Sequence, residues 1–166
     1  MESIYRTFRP RFWACVVDGI VFLPINFMDK WVYSNIRWNG VLVIWFVFAS
    51  SLPYLYNVLM HGKYGQTVGK MVTKVKVVDV SLAKLSMRQA FLRDSVYIAL
   101  TTAAIIIGIP EILDGGNSYQ NPNTLSAWIL VYASLAWFVV ELVTMLTNSK
   151  RRALHDFIAG SVVVNS

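Results

Sequence analysis

The stretch "RFWACVVDGIVFLP" (residues 11–24) is apolar apart from its first residue and one carboxylate, Asp18. With the residues that follow, it reaches the roughly 20 positions that a helix needs to cross a bilayer. Of the 166 residues, 56% are hydrophobic and only 14% are charged, whereas a soluble domain carries roughly a quarter charged residues. Four stretches are long enough for such a helix: residues 11–31, 40–60, 88–109 and 125–148. The sequence therefore predicts one all-α membrane domain over residues 1–166, a bundle of four transmembrane helices.

Lysine and arginine are distributed unevenly between the two sides of the predicted bundle. Thirteen of the fifteen lie in the N-terminal region up to Arg11, in residues 61–93 or in the C-terminal segment, and only Lys30 and Arg37 lie at the opposite side. Because positive residues are retained on the cytoplasmic side of a membrane, both termini are expected to be cytoplasmic. The net charge of +6 thus reflects topology, and no nucleic-acid partner is expected.

Two short β-branched segments lie on the side that we expect to be cytoplasmic. They are "KVKVVDV" (74–80) and "GSVVVNS" (160–166), and they are expected to pair as two strands. The alternative is that both are loosely ordered amphipathic segments on the membrane surface. On the opposite side, "GIPEILDGGNSYQNPN" (108–123) is rich in Gly, Asn and Pro and predicts a turn-rich loop.

Local signals also predict how the helices begin and bend. "SMRQ" (86–89) has the spacing of a capping box at the start of the third span. Pro24 and Pro53 lie within the first and second spans, and they are expected to kink them because proline interrupts the helical hydrogen bonds.

Ionisable side chains also fall inside the predicted spans, where a charge that faces lipid costs several kcal/mol. Given the helical rise of about 1.5 Å per residue, Asp18 lies roughly 10 Å, Asp94 roughly 9 Å and Glu141 roughly 13 Å from the cytoplasmic boundary. Arg93 adjoins Asp94, and Arg11 lies at the mouth of this layer. The charged groups are therefore expected to form one polar layer that faces the interior of the bundle.

Two interpretations of this layer are open. In one, the acids and Arg93 form a satisfied ion network that holds the helices together. In the other, at least one carboxylate binds and releases a cation or proton, with Asp94 and Glu141 as candidates and Asp18 as the first choice. Asp18 is preferred because Pro24, further along the helix, is expected to open backbone carbonyls beside a route outward. Two histidines and one cysteine, widely separated, predict no metal site.

Two polar motifs lie outside the spans. "GQTVGKM" (65–71) is not a phosphate-binding loop, because that motif needs four residues between its glycines and Ser or Thr after the Lys. Its glycines are expected to let a cytoplasmic turn lie close to the helix ends. "KRRALHDFIAG" (150–160) combines three cations with His155, which can titrate near neutrality, and Asp156, which can pair with an arginine. The alternative to pH sensing is a basic amphipathic segment anchored at the lipid headgroups.

Together these residues resemble the RDD family of small bacterial membrane proteins, named for one arginine and two aspartates. Arg11 and Asp18 match the arginine that opens the family's first helix and the aspartate in its middle. Asp156 matches the second family aspartate, and Asp94 is a competing match.

Three further segments carry the resemblance, in the family's order. "GQTVGKMVTKVKVVD" (65–79) is similar to the family's cytoplasmic segment, and "AFLRDSV" (90–96) resembles the start of its next helix. "RRALHDFIAGSVVV" (151–164) is similar to its C-terminal signature. The cytoplasmic signature residues in this chain are Gly69, Lys70, Arg152, His155 and Asp156.

The resemblance implies a multi-pass protein of the bacterial cytoplasmic membrane that takes part in transport, and some members of the family are described as sodium/proton antiporters. The first hypothesis is therefore a cation (sodium)/proton exchanger with Asp18 as its main site. Asp94, Glu141 and Arg93 assist it. Four helices are few for a transporter, so a homo-oligomer is expected.

The second hypothesis is a membrane module that does not transport, and that binds a partner protein, lipid or small ligand at its basic cytoplasmic face. An enzyme is not expected, because the sequence has no recognisable nucleophile–base pair. No cofactor is expected in either case.

Overall fold

The computed structural model of the chain describes residues 2–114 and 125–166. A short 3₁₀ turn at Glu2–Tyr5 is followed by seven α-helices and two β-strands in the described ranges. In chain order they are α1 (Phe8–Val21), α2 (Leu23–Asn35), α3 (Asn39–Tyr64), α4 (Val68–Val72), β1 (Val75–Asp79), α5 (Met87–Leu113), α6 (Leu125–Thr147), α7 (Leu154–Ile158) and β2 (Ser161–Asn165). Helices α3, α5 and α6 are long and apolar enough to cross a membrane, and α1 with α2 is a fourth candidate if the pair is one span.

The first span is broken near its middle. Helix α1 ends at Val21, α2 begins at Leu23, and the two axes differ by 42°. Pro24 lies in the first turn of α2, where its missing N–H cannot bond to the carbonyl four residues earlier. The kink predicted at Pro24 is therefore confirmed. Pro53, in contrast, lies inside the uninterrupted helix α3.

Helix α5 begins at the predicted capping box and ends later than predicted. The Ser86 hydroxyl accepts a hydrogen bond from the Gln89 backbone N–H at 3.2 Å, and the Gln89 side chain accepts from the Ser86 N–H at 3.0 Å. The helix then continues to Leu113, so the first residues of the predicted loop 108–123 are helical. Ile112 explains this extension, because it packs in a buried cluster with residues of α2 and α3. Residues 115–124, the rest of that loop, lie outside the described residues.

The two β-branched segments form the expected pair of strands. Strands β1 and β2 are antiparallel, with Val77 opposite Val163. Both valines are fully buried and form a core cluster with Val75, Leu85 and Ala90. The alternative of loosely ordered surface segments is therefore wrong. Because β2 lies at the C-terminal end of the described chain and β1 lies between α4 and α5, their pairing ties the end of the chain to its middle.

Helices α4 and α7 and the small sheet lie at one end of the long helices, which we call the polar end. The largest helix contact is between α3 and α5, while α4 packs on α1 and α7 packs on α5 and α6. A methyl group at Gly69 would overlap the backbone carbonyl of Ala14. This glycine therefore lets α4 lie directly on α1, which agrees with the close turn expected from "GQTVGKM".

The buried valine pair provides a test of the sheet. We expect Val163→Ala to lower the free energy of unfolding by about 2 kcal/mol, because it removes two methyl groups from a packed position. The change can be measured by denaturant titration in mixed micelles. Val80→Ala is the matched control, since Val80 is 49% exposed, and equal losses in the two variants would contradict the packing described for the sheet.

Candidate functional site

Most of the polar side chains buried in the described chain meet at the polar end. They come from both ends of the sequence and from the helices α1, α3, α5 and α6. The charged and imidazole side chains of this polar cluster are Arg11, Asp18, His61, Lys70, Arg93, Asp94, Glu141, His155 and Asp156.

Asp156 is the most enclosed member of the cluster and is fully buried. One of its oxygens accepts a hydrogen bond from Arg11 Nη1 at 3.1 Å, and the other lies 3.0 Å from Arg93 Nη1. The Ala153 backbone N–H and the Ser161 hydroxyl also donate to it, at 3.1 and 3.0 Å. Asp156 thus joins helices α1 and α5 to the turn that contains α7.

The electrostatic surroundings keep Asp156 ionised. Burial alone raises the pKa of this carboxyl, but the neighbouring cations, Arg93 foremost, outweigh burial and hold the pKa well below its usual range. A carboxylate with two guanidinium partners has no need of a further cation. Asp156 is therefore a structural anchor.

His155 connects Arg93 to an acid of helix α6. Arg93 Nη2 lies 2.8 Å from His155 Nε2, and a guanidinium can only donate, so this ring nitrogen accepts. The neutral ring then carries its proton on Nδ1, which donates to Glu141 Oε1. The Tyr97 hydroxyl donates to the other oxygen of Glu141 at 2.9 Å. Both oxygens of Glu141 therefore have neutral donors.

A second cation–imidazole–carboxylate array lies beside the first. Lys70 Nζ is 2.9 Å from His61 Nε2, so a protonated Lys70 directs the ring proton of His61 to Nδ1. His61 Nδ1 and Asp94 Oδ2 are 4.0 Å apart. Both atoms are buried, and neither has a hydrogen-bond partner among the described residues. The first array thus has an imidazole–carboxylate hydrogen bond, between His155 and Glu141, whereas in the second array the distance between His61 and Asp94 is too long for one.

Lys70 itself lies in α4, outside the long helices. Burial, followed by the positive charge of Arg93, lowers the pKa of its ammonium group to about 8. Lys70 is thus a cation that can lose its charge in a mildly alkaline solution.

Asp18 lies apart from both arrays. Its carboxylate accepts hydrogen bonds from the Thr67 hydroxyl at 2.6 Å, the Gly69 backbone N–H at 2.8 Å and the Tyr56 hydroxyl at 3.1 Å. The Tyr56 hydroxyl in turn accepts from the Val68 N–H at 2.8 Å. Asp18 therefore holds the start of α4 against α1 and α3, and its partners are neutral.

The charged residues singled out in the sequence are thus divided among three groups. Arg11, Arg93 and Glu141 belong to the first array through His155 and Asp156, Asp94 faces His61, and Asp18 bonds to α4. Of the signature residues, Gly69 and Lys70 lie on α4. Arg152 donates to the backbone carbonyls of Ser161 and Asp156, both at 2.9 Å. The single ion network of the four intramembrane charges is therefore absent from the described residues, because Arg93 is occupied by Asp156 and His155.

Four polar partners in the cluster are not predicted from the sequence: Tyr56, His61, Thr67 and Tyr97. Tyr97 could have been predicted as a member of the polar layer, because it follows Asp94 by three residues and so lies near it on one helix face. His61 was detectable as an imidazole in the last turn of an apolar span. In the described ranges, no group of three His, Cys, Asp or Glu residues is placed to hold a metal ion.

The apolar helices and the buried polar cluster at their end define a polytopic membrane protein. The family model described as "RDD family" matches residues 5–160, nearly the whole chain. The chain therefore belongs to the RDD family. No curated protein and no solved structure matches it.

The shared carboxylate gives a direct test of the anchor. We expect Asp156→Asn to lower the free energy of unfolding by about 3–5 kcal/mol, since two buried guanidinium groups lose their common counter-charge. The measurement is again denaturant titration in micelles. Asp114→Asn is the control, because Asp114 is exposed. A loss below about 1 kcal/mol, the value typical of surface ion pairs, would contradict the anchoring role.

The lowered pKa of Lys70 predicts a pH dependence of stability. Between about pH 8, its pKa in the folded chain, and 10.5, its ordinary value, the unfolded chain binds a proton that the folded chain does not. Stability therefore rises with pH in this window, by about 2 kcal/mol. We expect Lys70→Met to abolish the rise and Lys63→Met, at an exposed position, to retain it. A rise that persists in Lys70→Met would contradict the assignment.

Proposed function

We propose that the protein exchanges a monovalent cation, with sodium as the first candidate, for protons across a membrane, and that the two compete for Asp94. The observation that carries this proposal is the state of the Asp94 carboxylate. Its Oδ2 atom is buried on a membrane helix without a hydrogen-bond partner among the described residues. An ionised oxygen in that position is costly, so a proton or a cation is the ligand that it favours.

The charge balance of the polar cluster supports the same function. Three side chains carry a positive charge, and four carry a negative charge when ionised: Arg11, Arg93 and Lys70 against Asp18, Asp94, Glu141 and Asp156. The histidines add no charge while Arg93 and Lys70 donate to them. One negative charge is left over, and either one proton or one monovalent cation neutralises it. Binding of the two is then mutually exclusive, which is the requirement for exchange.

The other three carboxylates of the cluster already have ion-pair or hydrogen-bond partners, which favours Asp94 as the exchange site. Asp156 has two guanidinium partners, and Glu141 accepts from His155 and Tyr97. Asp18, the first choice from the sequence, accepts three hydrogen bonds from neutral groups. A saturated carboxylate gives up these bonds before it can coordinate an ion, whereas Asp94 Oδ2 has none to give up.

We also propose an orientation of the protein in the membrane and an oligomeric state. The polar end faces the bacterial cytoplasm, which is supported by the thirteen lysines and arginines in the segments at this end. His61 and Lys70 then lie between Asp94 and the cytoplasm. A homo-oligomer is part of the proposal, because four helices are few for a transporter.

Flux through proteoliposomes tests the proposal. With a pH-sensitive dye inside the vesicles, a sodium gradient is expected to drive proton movement through the wild-type protein. We expect Asp94→Asn to reduce this movement to the level of empty vesicles, because the amide cannot exchange a proton for a cation. Asp114→Asn is the control at an exposed carboxylate, and Asp18→Asn is the comparison at a carboxylate that already has three hydrogen bonds.

Each outcome decides between the hypotheses. Normal flux in Asp94→Asn with background flux in Asp18→Asn would return the site to Asp18, as the sequence predicts. Background flux in the wild-type protein, for sodium and potassium alike, would refute exchange. It would favour the alternative, a membrane module that binds a partner, lipid or small ligand at its basic face.

A further inference from the structure

An apolar groove lies on the face that helices α3 and α5 present together. Its volume is about 240 Å³. Ser51, Leu55 and Val58 line it from α3, and Phe91, Ile98 and Ile105 line it from α5. Leu55 and Phe91 are more than half exposed. Both helices are candidate spans, so the groove opens toward the hydrocarbon of the membrane.

The groove has the length and chemistry of an acyl-chain site. From Phe91 to Ile105 it extends about 21 Å along α5 at the helical rise per residue, more than the roughly 15 Å that one leaflet contributes to the hydrocarbon core. Four of its nine lining residues carry a hydroxyl, namely Ser51, Tyr54, Thr101 and Thr102. The Thr102 hydroxyl donates to the Ile98 carbonyl of its own helix. This hydroxyl is therefore satisfied and does not require a polar ligand.

Positive charge lies at the end of the groove that is nearest the polar end. The Cβ position of Gly62 overlaps the Met87 side chain, so the last turn of α3 lies against the first turn of α5. Lys63 and Arg88 adjoin these two contact residues, and both are exposed. Neither has an ion pair with another described residue. Two unpaired cations beside the mouth of an apolar groove complement an anionic headgroup on a hydrocarbon chain.

We propose that this groove is a binding site for an anionic phospholipid. One acyl chain lies between Leu55 and Ile98, and the phosphate lies between Lys63 and Arg88. Neither Asp94 nor another charged member of the polar cluster lines the groove, although its lining residue Tyr54 stacks on Tyr97. The proposal does not depend on ion exchange.

Lipid retention by the purified protein tests the headgroup contact. The probes are phosphatidylglycerol and phosphatidylcholine with identical acyl chains, titrated against the delipidated protein and counted by native mass spectrometry. We expect the wild-type protein to prefer phosphatidylglycerol, and the double variant Lys63→Gln with Arg88→Gln to bind it about tenfold more weakly or worse. Arg9→Gln with Lys150→Gln is the matched control, because it removes the same charge at two exposed positions and is expected to bind as the wild type does.

A second measurement on the wild-type protein locates the chain. Phosphatidylglycerol with a photoreactive group in one acyl chain is expected to label Phe91, Ile98 or Ile105 after irradiation. Labelling confined to α6, or equal affinity for the two lipids, would overturn the proposal. Chemical crosslinking of the purified protein is the control for a protein occupant. Crosslinks that join groove residues of two copies of the chain would also overturn the proposal, since they would identify the occupant as a helix of a second copy.

Discussion

One buried carboxylate, shared by arginines of the helices α1 and α5, holds the polar end of this protein together. Asp156 receives Arg11 from α1 and Arg93 from α5, and it adds hydrogen bonds from Ala153 and Ser161. Removing these charges from water is costly, and the attraction between them, with the added hydrogen bonds, offsets part of that cost. The segment that carries Asp156 folds back onto the helices and so brings the carboxylate to both arginines. That return places α7 against α5 and α6 and brings β2 to β1.

This anchor also decides which acids are left for ion binding. Arg93 is the charged neighbour of Asp94 in sequence, but its guanidinium points to Asp156 and His155. Asp94 is left facing an imidazole whose other nitrogen contacts Lys70. The exchange that we propose depends on this division, since a carboxylate paired with Arg93 would have little affinity for a second cation. The pairing of Arg93 with Asp156 thus forms the structural anchor and also leaves Asp94 without a guanidinium partner.

The sequence predicted the elements that depend on local pattern. Hydropathy located three candidate spans and a fourth that is a bent pair of helices. The Ser86–Gln89 spacing located the start of α5, and the β-branched segments paired as expected. The helical rise per residue also placed the acids of the spans near one end of the bundle, where the polar cluster lies. The predicted loop 108–123 began too early, because the packing of Ile112 against α2 and α3 is a tertiary contact with no local signal.

The partners of the acids could not be predicted in the same way. Height along a helix and angle around it are properties of one segment, whereas the partner of Asp18 depends on how the turn before α4 folds back. That turn supplies Thr67 and Gly69, and α3 supplies Tyr56. The signature segment around Gly69 and Lys70 resembled the family in sequence, but its contact with α1 became visible only with the fold.

Cation/proton exchange requires that Asp94 binds a proton and that a cation displaces this proton. Infrared difference spectroscopy of the reconstituted protein, recorded at constant pH before and after the addition of sodium, measures this. We expect a carbonyl band of a protonated carboxylic acid to decrease as sodium is added, and the change to be missing in Asp94→Asn but present in Asp114→Asn. A band that does not respond to sodium or potassium, or that persists unchanged in Asp94→Asn, would contradict the account.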